Sequence, residues 1–170
     1  MTEPQRPSGG QPRYSAFAQV EYEFVRQVYP TFEWTVFEQP SPRRPPALPL
    51  EQARVALVGT AGAYVRGQRP CSLGNEGDPT YREIPAETEE ICLAHVGYDV
   101  RRARRDPDVV FPLALLRRLA AEGTIGELAP RAFSFMGYIP DTRPLLQETG
   151  PAVARELLAD AVDLVLLVPA

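Results

Sequence analysis

The 170-residue sequence predicts an α/β fold: an open, mostly parallel sheet with flanking helices, preceded by an N-terminal amphipathic helix and a proline-rich connector. Three observations predict it. Two short apolar runs, ARVALVGT (53–60) and VDLVLLV (162–168), have the near-continuous hydrophobicity of strands buried on both faces. Helical stripes lie between them, one opening at Pro112 and one at Gly150-Pro151. The order strand, helix, strand, helix, strand then needs crossover connections, which favour parallel pairing.

Taken in order, residues 1–14 are polar, lack the apolar core of a secretory signal, and have nothing to bury, so they are expected to be disordered. From Ser15 the pattern turns helical, with Phe17, Val20, Phe24 and Val28 on one face, and Tyr29-Pro30 closes it. The segment 38–50 holds five prolines, which deny backbone donors to any ladder, and reads as a connector that completes a 15–52 unit. The domain proper is 53–170. Residues 61–82 are a long glycine-containing loop, of a length that suits a functional or covering role. Residues 91–96 (ICLAHV) read as a second buried strand, although Glu87, Glu89 and Glu90 would also suit a helix N-terminus. Pro112 at the first turn, a stripe of Leu113, Leu116, Leu119 and Ala120, and Gly123 as the stop define the next helix. Residues 131–138 (RAFSFMGY) form another strand. Thr149 is placed to cap a final helix carrying Val153, Leu157 and Leu158.

Composition excludes several classes. A net charge of -4 rules out a strongly basic nucleic-acid binder. All 18 cations are arginine, so no lysine is present for a Schiff base or a P-loop. The longest apolar run, 164–170, is far short of the ~20 residues that a membrane-spanning helix needs. Cys71 and Cys92 form neither a CxxC pair nor a disulfide framework and read as reduced thiols, which points to the cytoplasm. One histidine and dispersed acids (Asp78, Asp141, Glu148) give no metal-ligand spacing.

Few residues are candidates for chemistry. His95, the only histidine, ends an apolar run; it could be a general acid or base with Asp99 fixing its tautomer, or a satisfied structural histidine. Glu83, in REIP at the end of the long loop, is a pocket carboxylate or an ordinary exposed acid. Arg101, Arg102, Arg104 and Arg105 could grip an anion or form a solvated face. Cys71 is a buried or idle thiol by default, or one whose thiolate the nearby Arg69 favours. In open α/β sheets the chemistry lies beyond the carboxyl ends of the strands, and here the chain reaches Pro169-Ala170 directly after its most apolar strand.

The segments ARVALVGTAGAYV, LGNEGDPTYREIP, LAHVGYD, DPDVVFPLALLRRLAAEGTIGEL, FSFMGYIPDT and ETGPAVARELLADAVDLVLLVPA, in that order, resemble the selenoprotein B family. These are reductase subunits of glycine, sarcosine, betaine and D-proline reductases. The resemblance runs over 53–170, most specifically at 82–85, 95–99 and 107–119; residues 1–50 match only loosely. It implies reductive cleavage of a C–N bond in a small amino acid or amine, with a dithiol as electron donor. In the family, the counterpart of VDLVLLVPA leads at once into a selenocysteine or cysteine redox motif and a helix, whose N-terminus stabilises the anionic nucleophile. That nucleophile is therefore expected immediately after Ala170, the sequence being cut at a selenocysteine codon or belonging to a short paralogue. Neither Cys71 nor Cys92 stands at the redox position. The substrate-pocket candidates are His95, Asp99, Tyr98 and Glu83. No cofactor is implied within this chain. A pyruvoyl group on a partner subunit, a thiol electron donor and an oligomeric assembly are implied around it. The alternative is a non-catalytic binding or partner subunit that lacks the nucleophile.

Overall fold

The computed structural model describes residues 16–28, 30, 33 and 45–170. The expectations for residues 1–14 and for 38–44 of the connector lie outside these. Helix α1 (Ala16–Val28) forms where the periodicity predicts it, and Arg26 ties its last turn to Tyr22, Glu33 and the Pro30 carbonyl. Residues 45–170 form a separate compact unit.

In that unit β1 (Arg54–Gly59) is the central strand. A tight turn leads to the two-residue β2 (Ala63–Tyr64), and a long loop then leads to β3 (Arg82–Pro85). A further two-residue strand, β4 (Cys92–Leu93), is followed by the short helix α2 (Val100–Ala103) and then by α3 (Leu113–Ala121). Strands β5 (Glu127–Leu128) and β6 (Arg131–Ser134) follow; helix α4 (Gly150–Ala159) and β7 (Leu164–Val168) complete the order.

β5 and β6 are two parts of one path, broken at Ala129-Pro130, that pair in parallel with the two ends of β1. The carbonyls of Ala53, Val55 and Gly59 all accept from this side, which places both strands on one edge. β7 runs parallel to the other edge of β1 over Val55–Gly59, and β3 lies antiparallel outside β6. The parallel strands therefore stand in the order β6, β1, β7. The chain turns to opposite sides of β1 after β1 and after β6, so the topological switch point, where open α/β sheets form a crevice, lies at their carboxyl ends.

Two cores flank the sheet. Leu57, Val55 and Ala132 pack with Leu113, Leu116 and Phe111 on the α3 side; Phe133, Phe135 and Val153 pack with Val58 and Leu157 on the α4 side. Phe111 lies against Gly59, where a Cβ would come within 3.1 Å of its ring. Gly123 ends α3 at φ +73, the left-handed cap that glycine provides without strain.

The α/β class with its mostly parallel sheet stands, but five local expectations need correction. The 91–96 run contributes only β4, which pairs antiparallel with β2 in a separate ribbon, because the turn at Gly62 folds the chain back there. The 61–82 loop contains β2, and REIP is an edge strand whose terminal Pro85 needs no ladder donor there. The strand expected over 131–138 ends at Ser134; Met136 instead bridges Ala61. Thr149 does not cap α4: a π-type turn (Leu145–Thr149) leads into the helix, and the Thr149 hydroxyl donates to the Pro79 carbonyl at 2.8 Å. Finally, β7 is not covered on both faces. Among the described residues it pairs only with β1, and Leu167 is 70% exposed, as is Leu158 of α4 at 77%. A run of five apolar residues specifies a strand, not what lies over it.

Candidate functional site

The site is built where three segments leave the sheet. After β1, Thr60 turns its amide to the Val168 carbonyl (3.1 Å), and its hydroxyl accepts from the Ala170 amide at 2.9 Å. Gly62 donates to Phe135 (2.8 Å) and accepts from Ala94 (3.0 Å), which ties together the segments following β1, β6 and β4. Gly62 must be glycine: its φ is +64, and a Cβ would sit 2.0 Å from the Ala94 oxygen. The Ser134 hydroxyl, fully buried, accepts from the Ala63 amide at 2.8 Å.

His95 lies at this end of the sheet, against Gly137 and next to Ala170. Its Nδ1 accepts from the Gly97 amide at 2.8 Å, so the neutral ring carries its proton on Nε2. Nε2 is enclosed and meets no aligned hydrogen-bond acceptor among the described residues, the Ala170 backbone oxygen being beside it. The Ala170 backbone oxygen is close enough to favour the protonated ring, but burial prevails and lowers the imidazole pKa. Gly137, after β6, makes the approach feasible: a Cβ there would lie 2.6 Å from Nε2 and 2.6 Å from the Ala170 oxygen. Tyr98 stacks on the imidazole with centroids 4.4 Å apart and 29° between planes. Its hydroxyl donates to the Ala61 carbonyl at 2.8 Å, and burial pushes its pKa up to about 12, against the pull of Arg104.

Of the sequence candidates, His95 and Tyr98 are brought together; Asp99 and Glu83 are not part of this contact. Asp99 does not orient His95. It caps α2 by accepting from the Arg101 amide (3.0 Å) and pairs with the Arg101 guanidinium, which holds its carboxyl below the ordinary range. The tautomer is set by Gly97 instead, because a backbone amide two residues on reaches Nδ1 first. Glu83 accepts from Arg131 at 2.9 Å, and Arg131 also binds Glu156 and Asp160. This ion cluster joins β3, β6 and the end of α4, towards the amino end of β6.

A second polar centre escapes sequence reading. Arg82 and Asp78, 9% and 8% exposed, form a 3.1 Å ion pair beneath the long loop. Arg82 also donates to the carbonyls of Arg69 (2.6 Å), Pro70 (3.0 Å) and Tyr81 (3.2 Å) and to the Thr80 hydroxyl (2.7 Å). Asp78 accepts from the Ser72 and Thr80 amides, each at 2.9 Å, and from the Thr80 hydroxyl. Burial by itself would raise the Asp78 pKa, but these donors outweigh it and lower the value. Cys71 is buried here and burial raises its thiol pKa, which agrees with the buried, idle thiol and not with activation by Arg69. An open cavity of about 550 Å³ lies along this loop, lined by Gln68, Arg69, Thr80, Tyr81, Arg82 and Glu83. Among the described residues no helix is long and apolar enough to cross a membrane, and no three His, Cys, Asp or Glu side chains converge to hold a metal ion.

Comparison with known proteins places this arrangement. The profile of the glycine/sarcosine/betaine reductase selenoprotein B family matches residues 31–170. The chain is 38% identical over 120 residues to the D-proline reductase subunit gamma of Acetoanaerobium sticklandii, covering 69% of this chain and 49% of that protein. It is 30% identical over 133 residues to the glycine reductase complex component B subunit gamma of Carboxydothermus hydrogenoformans, covering 74% of this chain and 30% of that protein. It is 28% identical over 132 residues to the sarcosine reductase complex component B subunit beta of Peptoclostridium acidaminophilum, with the same coverage of 74% and 30%. The chain thus spans half or less of the length of these relatives. No solved structure matches it. On the extent of the profile match, the chain belongs to the glycine/sarcosine/betaine reductase selenoprotein B family.

Proposed function

We propose that this chain supplies the substrate-facing α/β portion of a reductase subunit that cleaves a C–N bond in glycine, sarcosine, betaine or a proline-type substrate. The observation that carries the reading is His95 Nε2, enclosed at the carboxyl ends of the strands beside Gly137 and the Ala170 backbone, with no aligned acceptor among the described residues. In this reading the nucleophile, a selenolate or thiolate, follows Ala170 and attacks the substrate α-carbon. The carbon–nitrogen electron pair leaves with the amine, which is activated by quaternisation or by a pyruvoyl group on a partner subunit. A thiolate then attacks the chalcogen of the adduct, the released pair takes a proton at carbon, and a dithiol reduces the resulting chalcogen–sulfur bond. The net change is one C–N bond replaced by C–H and N–H, with one dithiol oxidised to a disulfide.

The test is the transcript beyond the Ala170 codon. A TGA or cysteine codon within the next few positions, followed in frame by a second cysteine and a helix-forming stretch, supports the reading. A frame with no such codon overturns it.

A second reading, a non-catalytic partner subunit, is favoured by the outer edge of β7, where Leu166, Leu167 and the neighbouring Leu158 are exposed. It predicts that the chain binds another subunit through that edge and binds none of the four substrates.

A further inference from the structure

Resting on the functional reading above, we infer that His95 is the hydrogen-bond donor that reads the substrate carboxylate, and that Tyr98 is the positioning residue that holds its ring where the Gly97 amide fixes the donor state.

The argument begins with what can accept from Nε2. The Gly97 amide occupies the Nδ1 lone pair, so the neutral ring presents a donor to the crevice and has no acceptor left to offer. A small zwitterionic amino acid carries an ammonium, which only donates; betaine carries a quaternary nitrogen, which does neither. The group that all these substrates share, and that accepts a hydrogen bond, is the carboxylate. An enclosed donor with no aligned acceptor among the described residues is costly when unsatisfied and favourable when it meets an anion. The same donor has no base to offer a departing amine, so its task is binding and orientation, not proton removal.

Geometry fixes that donor in two ways. The Tyr98 ring lies against the imidazole at 4.4 Å, and the Tyr98 hydroxyl is anchored to the Ala61 carbonyl at the end of β1. The ring plane is thus referred to the central strand and not to the loop that carries His95. On the opposite side only the bare Cα of Gly137 and the Ala170 backbone cover Nε2, so a carboxylate reaches it by taking the place of the Ala170 oxygen, and any side chain at position 137 would displace the imidazole. Gly97 is as constrained: a Cβ there would come within 3.0 Å of the imidazole Cε1.

The experiment has two parts on the 170-residue chain. Long-range nitrogen–proton NMR of the imidazole at pH 7.5 reports the tautomer. The expected spectrum is that of the Nε2–H form in the wild type and in Tyr98→Phe, which keeps the stack, and a mixture of tautomers in Tyr98→Leu. A wild-type Nδ1–H spectrum, or a Tyr98→Leu spectrum identical to wild type, overturns the assignment. Calorimetric titration then uses D-proline, glycine, sarcosine and betaine, with the amide of whichever one binds as the carboxylate-free probe. His95→Leu should weaken the carboxylate probe by about 10- to 100-fold, the range of a hydrogen bond to a charged group, and His95→Gln should restore part of it. The amide, whose carbonyl oxygen accepts only a weaker neutral bond, should bind less tightly to wild type and show a smaller difference among the three proteins. Equal binding of the acid by wild type and His95→Leu overturns the inference and leaves the functional reading standing. Wild-type protein that binds none of the four acids overturns the functional reading and the carboxylate assignment together.

Discussion

Replacing Asp78 with alanine should cost the domain about 3 kcal/mol, although Asp78 is outside the His95 crevice. The wild-type carboxylate accepts from Ser72 and Thr80 and neutralises Arg82, and both charged partners are more than nine-tenths buried. Removing one partner of a buried ion pair typically costs ~3–5 kcal/mol, because the other charge stays desolvated. The lower end applies here, since Arg82 keeps three carbonyls and the Thr80 hydroxyl. For a domain of this size that corresponds to a fall in Tm of roughly 10 °C. Urea unfolding at pH 7.5 measures it, with an unchanged m-value showing that the same surface is exposed. Asp78→Asn should fall between the two, keeping one oxygen as acceptor and losing the charge. The double variant Asp78→Leu/Arg82→Met should be less damaged than the sum of its single variants, because no unpaired charge remains. A loss below about 1 kcal/mol for Asp78→Ala would refute the reasoning and mean that water reaches Arg82. The sign with pH follows from the lowered Asp78 pKa: its contribution is present above the ordinary carboxyl value and is lost as pH falls through the folded one.

Three further outcomes are expected. Gly62→Ala should cost about 2–4 kcal/mol, from left-handed backbone and collision with the Ala94 oxygen, whereas Gly123→Ala, equally left-handed but in open space, should cost about 1 kcal/mol; paired urea curves separate strain from collision. Burial depresses the His95 pKa, so the unfolded chain binds a proton at higher pH than the folded one; stability should decline as pH falls through the ordinary value of 6.5, and His95→Gln should flatten that part of the profile. Leu167→Lys, at an exposed position of β7, should change stability by less than about 0.5 kcal/mol while reducing any self-association in sedimentation velocity; a large loss of stability would show that the side chain is covered.

The parts of the fold that show in the sequence are those whose burial leaves a continuous or periodic apolar pattern. β1 declares itself by an unbroken apolar run whose Val55, Ala56 and Leu57 are all buried, and α3 by Leu113 and Leu116 recurring at helix spacing. β5 has two residues and β3 four, ending in proline, too short for any period to emerge; pairing with β1 and with β6 makes them strands. β7 was legible as a strand but not as an exposed edge, since neighbours across a sheet are set by topology. At the site, His95 stands out as the single histidine, and HVGYD keeps Tyr98 near it. Asp99 was assigned to the imidazole on proximity in sequence, yet its geometry suits the N-terminus of α2. The contributions of Thr60, Ala61 and Gly137 are made by backbone or by the absence of a side chain, so residue type alone carries little signal. Asp78 and Arg82 read as scattered loop charges until folding buries them together; a four-residue spacing of opposite charges outside a helix carries no signal by itself.

The measurement that tests the central claim most directly is a titration of the isotope-labelled chain with D-proline, glycine, sarcosine and betaine, following the His95 and Tyr98 resonances. The account predicts that at least one of the four shifts both residues saturably, along with Gly137, and leaves the Glu83–Arg131 cluster unmoved. Folded protein in which none of the four moves His95, or in which the saturable shifts fall along the Gln68–Glu83 cavity instead, would contradict it.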